Sequence, residues 1–261
     1  MSALPVALTI AGSDPGGGAG IQADLRTFAA FGVHGASVLA ALTAQDTRGV
    51  HATLEVAPAF VLLQLDAVLD DLPVRAAKTG MLHRAAVIDA VVARLGARPL
   101  PHLVVDPVMA ATSGEALLEP AGIAVLRQRL LPMATLITPN LREAEALTGR
   151  AVAEPAQMRE AARALVAMGA RAALVKGGHL PGDALDVLYD GREFRELRAP
   201  RVEGRRLHGT GCVLSAAITA GLALGDRLAD AVAEAKRYVT RAIETAPAAS
   251  RPTPIVPKKQ A

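Results

Sequence analysis

Short runs of apolar and β-branched residues alternate along the chain with longer segments whose apolar positions recur at helical spacing. The strand-like runs are 5–12 (PVALTIAG), 35–44 (GASVLAALTA), 74–80 (VRAAKTG), 102–108 (HLVVDPV), 134–140 (ATLITPN), 172–178 (AALVKGG) and 184–191 (ALDVLYDG). Amphipathic stretches at 19–31, 58–70, 84–95, 120–130 and 155–168 lie between most of them. Strands alternating with helices of this length predict a mostly parallel sheet covered on both faces. The near-continuous apolar character of the strands fits that double burial. The segment 183–197 (DALDVLYDGREFREL) reads as two strands joined at Asp190-Gly191, an antiparallel hairpin at the sheet's edge. Helices are predicted at about 210–224 and 228–245, followed by a flexible, Pro-rich tail over about 246–261. Nothing before the tail reads as a linker or a repeat, so one α/β domain spanning 1–261 is expected.

In open sheets of this class ligands sit beyond the carboxyl ends of the strands. The polar and glycine residues gather there: GSDPGGGAG after the first strand, then TAQD, KTGM, DPVM, TPN and KGGH. Turn chemistry accounts for Gly, Pro and Asn at such places. The repeated Asp, Gln and Lys point to a single polar cleft. Gly18-Ala-Gly20-Ile-Gln-Ala23 matches G-x-G-x-x-A, but well past the first strand, and the Walker pattern is absent, which disfavours a hydride-transfer enzyme and an ordinary P-loop enzyme. Ahead of the helix that carries Asp24, the glycines allow close approach to a ligand and the helix start offers amide donors. Asp24 reads equally well as a ligand-facing carboxylate or as a charge complementing the helix dipole. The stretch 208–217 (HGTGCVLSAA) is more specific: Gly209, Thr210, Gly211 and Cys212 straddle a helix start, a ready anion site whose field favours thiolate.

Composition narrows the classes. Aromatic residues make up 2% and Trp is absent, so few side chains could stack on bases, and a nucleic-acid partner is not expected. The net charge of +3 owes much to 195–206, where five Arg accompany two Glu, an exposed hairpin face or a ligand-facing patch. One cysteine excludes an intramolecular disulfide and suits a reducing, cytoplasmic setting. The first residues lack a basic n-region, and no apolar run reaches about 18 residues, so neither a signal peptide nor a membrane span is expected.

The motifs GSDPGGGAGIQADLRTF, LTAQDTRGV, KTGML, VVDPVMAATSG, LITPNLREAEALTG, LVKGGHL and HGTGCVLSAA occur in that order and cover essentially residues 4–245. Together they resemble the hydroxymethylpyrimidine/phosphomethylpyrimidine kinases of thiamine biosynthesis, members of the ribokinase-like superfamily. The resemblance implies a three-layer sandwich, a central mostly parallel sheet flanked by helices. It implies ATP and Mg²⁺, and two successive phosphorylations of 4-amino-5-hydroxymethyl-2-methylpyrimidine, to the monophosphate and then the diphosphate. It puts Gly12, Asp24, Gln45, Met81 and Val108 in the pyrimidine pocket. Asp106 and Glu143 become the acidic pair that orders Mg²⁺, with Lys176 and Thr210 at the ATP phosphates. Gly209, Thr210 and Gly211 form the anion loop. Cys212 stands where other ribokinase-like enzymes carry an Asp base, and so acts as base or orders the substrate hydroxyl. A homodimer is implied as well.

The chain departs from the family pattern at the start of the glycine loop, at Asp46 for Asn, at Thr79 for Ile, and at Leu207 and Val213 for Thr. Lost hydroxyls bear on the phosphate contacts, and Asp46 bears on pocket charge. A pyridoxal or pyridoxine kinase is the nearest alternative. A pyrimidine-binding protein without turnover is a remoter one, since the metal acids, the lysine and the anion loop are all present.

Overall fold

The computed structural model describes residues 4–46, 48–111, 113–178, 180, 182–202 and 207–246. Among these residues nine strands form one sheet: β1 (Val6–Ser13), β2 (His34–Gln45), β3 (Val50–Glu55), β4 (Val74–Thr79), β5 (His102–Val105), β6 (Leu136–Ile137), β7 (Ala173–Lys176), β8 (Ala184–Tyr189) and β9 (Phe194–Ala199). Their order across the sheet is β3-β2-β1-β4-β5-β6-β7-β8-β9. The six from β2 to β7 run parallel, while β3 at one edge and the β8–β9 hairpin at the other are antiparallel.

The helices are α1 (Gly20–Ala30), α2 (Pro58–Asp71), α3 (Ala85–Ala97), α4 (Pro120–Val125), α5 (Leu141–Thr148), α6 (Pro155–Ala167), α7 (Thr210–Leu224) and α8 (Leu228–Thr245). Side-chain alternation along the central strands divides the core in two. Val6, Leu8 and Ile10 of β1 pack with α2, α3, α5 and α6 on one face. Ala7, Val104 and Leu174 point the other way, toward α1, α7 and α8. α7 is buried almost all round, with ten of its residues from Val213 to Leu222 all inaccessible or nearly so, which is why its sequence shows little amphipathic pattern.

Several elements differ from expectation. β3 escapes the sequence pattern because it lacks fully buried positions and so shows no apolar alternation. It pairs with the end of β2, so that TAQD is the far end of a hairpin as well as a strand terminus. β5 and β6 are shorter than expected, β5 ending before Asp106-Pro107. The helix expected over 120–130 runs as α4, then a π turn at Leu126–Leu130 and a 3-10 turn at Leu131–Met133, where Pro132 withholds a helix amide. The hairpin loop at Asp190 has four residues, with Gly191 at φ 89°. The tail expected from 246 lies, from 247 onward, outside the described residues.

Candidate active site

The parallel strands all end at one side of the sheet, and there they deliver Ser13 and Asp14, Lys78 to Met81, Asp106, Thr138 to Asn140, and Lys176. The start of α7 packs over the middle of this row. Gly209, its N-cap, has φ 85°, and a Cβ there would lie 1.9 Å from the Gly18 carbonyl oxygen. Among the described residues no side chain caps the helix, which leaves its first amides and the positive end of its dipole available to an anion. A Cβ on Gly211 would lie 3.4 Å from Lys176 Nζ and 4.0 Å from Asp106 Oδ2, so an ammonium group flanks the same amides.

α1 behaves differently. The Asp14 carboxylate accepts the amides of Gly16 (2.8 Å), Gly18 (3.0 Å) and Ala19 (2.8 Å). The donors expected to be free in this glycine loop are therefore consumed by the chain itself. Gly20, at φ 58°, is needed because a Cβ would meet the Gly12 oxygen at 2.4 Å. The G-x-G-x-x-A match thus reflects α1 folding back on β1.

Beneath the α7 start is a layer of buried charge. Asp24 accepts Thr9 Oγ1 at 2.6 Å and Lys78 Nζ at 2.8 Å, and neither ionic side chain is exposed (0% for both). Asp24 was expected in the pyrimidine pocket or as a dipole-complementing charge at the head of its helix. The structure assigns it to this closed ion pair, with both oxygens engaged. Burial works against the Lys78 ammonium, but Asp24, then Cys212 and Asp106, outweigh it and hold its pKa above the ordinary lysine value. Asp106 accepts Lys176 Nζ (3.1 Å) and Thr138 Oγ1 (3.2 Å) on Oδ1, and Ser215 Oγ (3.1 Å) on Oδ2. Burial raises its carboxyl, yet Lys176 and Lys78 prevail and keep it below the usual range. Lys176 loses affinity for its proton through burial and regains more from Asp106 and Glu143, ending at about 12.

Cys212 departs from expectation. The helix start was expected to acidify the thiol, but burial pushes it up to about 11; Lys78 pulls against this while Asp24 and Asp106 push further up. Near neutral pH the thiol keeps its proton. A helix dipole is a partial charge, and here it is outweighed by the partial burial of the thiol and the nearby Asp24 and Asp106 carboxylates.

The apolar part of the site is compact. Met81 packs with Ala41 and Leu117, with Val50, Val108 and Ala111 against them. A Cβ on Gly12 would meet Met81 Sδ at 3.0 Å, so the glycine lets the thioether lie on the end of β1. Gln45, paired with Val50 across the β2–β3 hairpin, has its amide nitrogen 2.9 Å from His208 Nε2. Gly12, Met81, Val108 and Gln45 thus lie along one stretch of the site that reaches the residue before the anion loop.

Comparison with known proteins identifies the family. The family described as Phosphomethylpyrimidine kinase matches residues 14–254. The chain is 54% identical over 246 residues to the hydroxymethylpyrimidine/phosphomethylpyrimidine kinase of Rhizobium meliloti, covering 92% of this chain and 91% of that one. This chain belongs to the phosphomethylpyrimidine kinase family. It spans about half the length of bifunctional thiamine-biosynthesis relatives in Geobacter sulfurreducens and Arabidopsis thaliana (49% and 47%). Among solved structures, phosphomethylpyrimidine kinase from Clostridium difficile superposes with TM-score 0.82 at 42% identity, covering 91% of this chain and 99% of that chain. Pyridoxal kinase from Bacillus subtilis, in an ADP complex, superposes with TM-score 0.87 at 38% identity, covering 93% and 92%. The family's ribokinase-like sandwich is the fold described above.

Within the family frame, the structure also shows what the motifs left out. Lys78, Thr138, Ser215, Asp14 and His208 all make contacts inside the site, and none was singled out in the sequence. Lys78 stood in KTGM, and an isolated lysine in an apolar strand was its available signal. Glu143 is buried in a capping box, accepting the Asn140 amide at 2.8 Å while Asn140 Oδ1 accepts the Glu143 amide at 3.0 Å. Burial, offset in part by Lys176, raises its carboxyl to about 7. Among the described residues no three His, Cys, Asp or Glu gather into a metal cage.

Of the departures, Asp46 is a turn residue on the surface. It binds the Arg48 amide and guanidinium and His51, which hold its carboxyl well below the usual range. Val213, on the first turn of α7, turns its side chain into the core while its amide donates to the Gly209 carbonyl (2.9 Å). In the arginine cluster, Arg195 and Arg198 pair with Glu193 and Glu196. Arg201 donates to the carbonyls of Gly182 (2.7 Å), Gly178 (2.8 Å) and Leu180. Arg205 and Arg206 lie outside the described residues.

Two outcomes follow from the buried charges. Lys78→Met should destabilise the fold by about 3–5 kcal/mol by stranding Asp24, and Lys78→Met with Asp24→Leu should recover most of that in urea unfolding. With a thiol pKa of about 11, alkylation of Cys212 by iodoacetamide should be slow at neutral pH. Its rate should climb about ten-fold per pH unit over the range where the fold persists.

Proposed function

We propose that this chain is an ATP-dependent kinase that phosphorylates 4-amino-5-hydroxymethyl-2-methylpyrimidine and then its monophosphate, for thiamine biosynthesis. The observation that carries this reading is the 2.9 Å approach of Gln45 to His208, which joins the apolar pocket to the uncapped start of α7. A ring held at Gly12, Met81 and Val108, with Gln45 pairing to its aminopyrimidine edge, would present its hydroxymethyl group toward Cys212 and the anion loop. Lys176 and the amides of Gly209, Thr210 and Gly211 would take the ATP phosphates. Asp24 acts one step removed, by holding Lys78 charged beneath the site.

Phosphoryl transfer needs positioning and charge neutralisation more than covalent chemistry. In the first transfer the substrate hydroxyl oxygen bonds to the γ-phosphorus as the bond to ADP breaks. The neutral thiol of Cys212 orders the hydroxyl and does not take its proton, which leaves late, as the new bond forms and the hydroxyl turns acidic, to an oxygen of the transferred phosphate or to water. In the second transfer the nucleophile is a phosphate oxygen that is already ionised, so no base is required. Asp106 and Glu143 fit a role in ordering Mg²⁺ through water. Asp106 is held ionised, both carboxylates face Lys176, and Mg²⁺ keeps several waters rather than an all-protein cage. When bound, Mg²⁺ would neutralise phosphate charge.

The pyridoxal kinase alternative rests on a similar fold at lower identity, 38% against 54%. A homodimer is supported by apolar side chains left on the surface, Leu54 at 65%, Phe60 at 57% and Leu63 at 62% exposure. The absence of any helix among the described residues long and apolar enough to cross a membrane is compatible with a cytoplasmic site of action.

Product analysis with hydroxymethylpyrimidine and ATP should show monophosphate and then diphosphate, and pyridoxal supplied alongside should react more slowly. Cys212→Ala should slow the first transfer by about 100-fold and the second by less than about three-fold; equal losses contradict the role given to the thiol. Phe60→Glu with Leu63→Glu should shift the protein to monomer in sedimentation velocity if that face is the dimer contact.

A further inference from the structure

Two of the groups around His208 make conflicting demands on it. Its Nε2 lies 3.3 Å from Asp14 Oδ2 and 2.9 Å from the Gln45 amide nitrogen. An amide nitrogen can only donate, so in this arrangement Nε2 must lack a proton. Its lone pair then also faces a carboxylate oxygen, acceptor against acceptor. The other end of the same carboxamide has a matching conflict. Thr43 Oγ1 lies 2.9 Å from the Ser13 carbonyl oxygen and 3.3 Å from Gln45 Oε1. A hydroxyl has one proton, and the carbonyl at the shorter distance takes it, which leaves oxygen facing oxygen at Gln45.

One rotation resolves both conflicts. If the carboxamide turns by half a revolution about its last bond, Oε1 accepts from a protonated His208 Nε2, and the amide nitrogen donates to Thr43 Oγ1. The Thr43 proton stays on Ser13, and the same Nε2 proton also faces Asp14. Which end of a carboxamide points where is decided by such partners. Asp14 is well placed to hold the imidazole proton on this side. Burial raises its carboxyl, but His208 and the amides of Ala19 and Gly16 outweigh that and keep it ionised.

We infer that His208 is a positioning residue for substrate recognition: the proton that Asp14 holds on its Nε2 sets the orientation of the Gln45 carboxamide, and with it the order of donor and acceptor offered to the substrate ring. The inference rests on the reading that Gln45 meets the pyrimidine. It adds a specificity element at the junction of the glycine loop and the α7 start. A site built to pair with a ring's polar edge discriminates by leaving its own groups unpaired when the pattern is wrong. A carboxamide free to turn would lose that discrimination.

A double-mutant cycle tests this with His208→Phe, Gln45→Ala and the double variant, reading KM for hydroxymethylpyrimidine, KM for ATP and thermal stability separately. His208→Phe should raise the pyrimidine KM by about ten-fold and leave the ATP KM within about two-fold, and in the Gln45→Ala background it should add less than about two-fold. His208→Asn, which keeps an amide donor at this position, is run in the same cycle against loss of folding by the phenylalanine variant. It should recover part of the pyrimidine affinity. Multiplicative losses in the double variant, or an ATP KM that rises in parallel, overturn the inference while leaving the pocket reading intact. A Gln45→Ala enzyme with an unchanged pyrimidine KM overturns the pocket reading and the inference with it.

Discussion

The Gly18 carbonyl oxygen occupies the space that a side chain at residue 209 would need, 1.9 Å from where its Cβ would stand, and the site is built around that approach. It requires glycine at the N-cap of α7, with φ 85°, and so removes any side chain that could cap the helix from that position. It also presses the glycine loop after β1 against the loop before α7. Their polar residues, Asp14 and His208, come within 3.3 Å. An anion site at one helix start and a closed, self-satisfied loop at the other are two sides of this contact. Asp14 spends its carboxylate on the α1 loop amides, and Gly209 has no side chain to spend.

Burial then sets the chemistry. Asp24, Lys78, Asp106 and Lys176 are removed from water as near neighbours, and each carries a partner at 2.8–3.1 Å. Removing one member would strand another, so the layer is a constraint on the fold as much as on the reaction. Partial burial beside the same carboxylates keeps the Cys212 thiol protonated against the pull of the helix and of Lys78. On the proposed reading of the α7 start as the phosphate site, a neutral thiol there avoids placing a further negative charge against the transferring phosphoryl group. Its reactivity toward other electrophiles is also restrained.

Much of this was legible in the sequence, and the exceptions share a cause. Alternating strand and helix patterns defined the parallel sheet, the hairpin edge at Asp190-Gly191 and the clustering of polar residues at the carboxyl ends of the strands. HGTGC marked the helix start that stays open to anions. β3 was missed because an exposed edge strand buries too little to leave an alternating pattern. Lys78 was passed over because a lysine at a strand end ordinarily reaches water. Asp24 was placed by motif in the pocket, and its pairing with Thr9 and Lys78 was not legible because those partners stand 15 and 54 residues away in the chain.

The sequence by itself therefore determined the architecture, the family and which segments meet at the reaction end of the sheet. Those properties follow from periodicity, glycine placement and motif order, all of them local. Only the tertiary structure decided which carboxylates are engaged, where the thiol titrates, and that His208 stands between Asp14 and Gln45. Desolvation and hydrogen-bond partnership depend on groups brought together from distant parts of the chain, as with Gln45 and His208 across 163 positions.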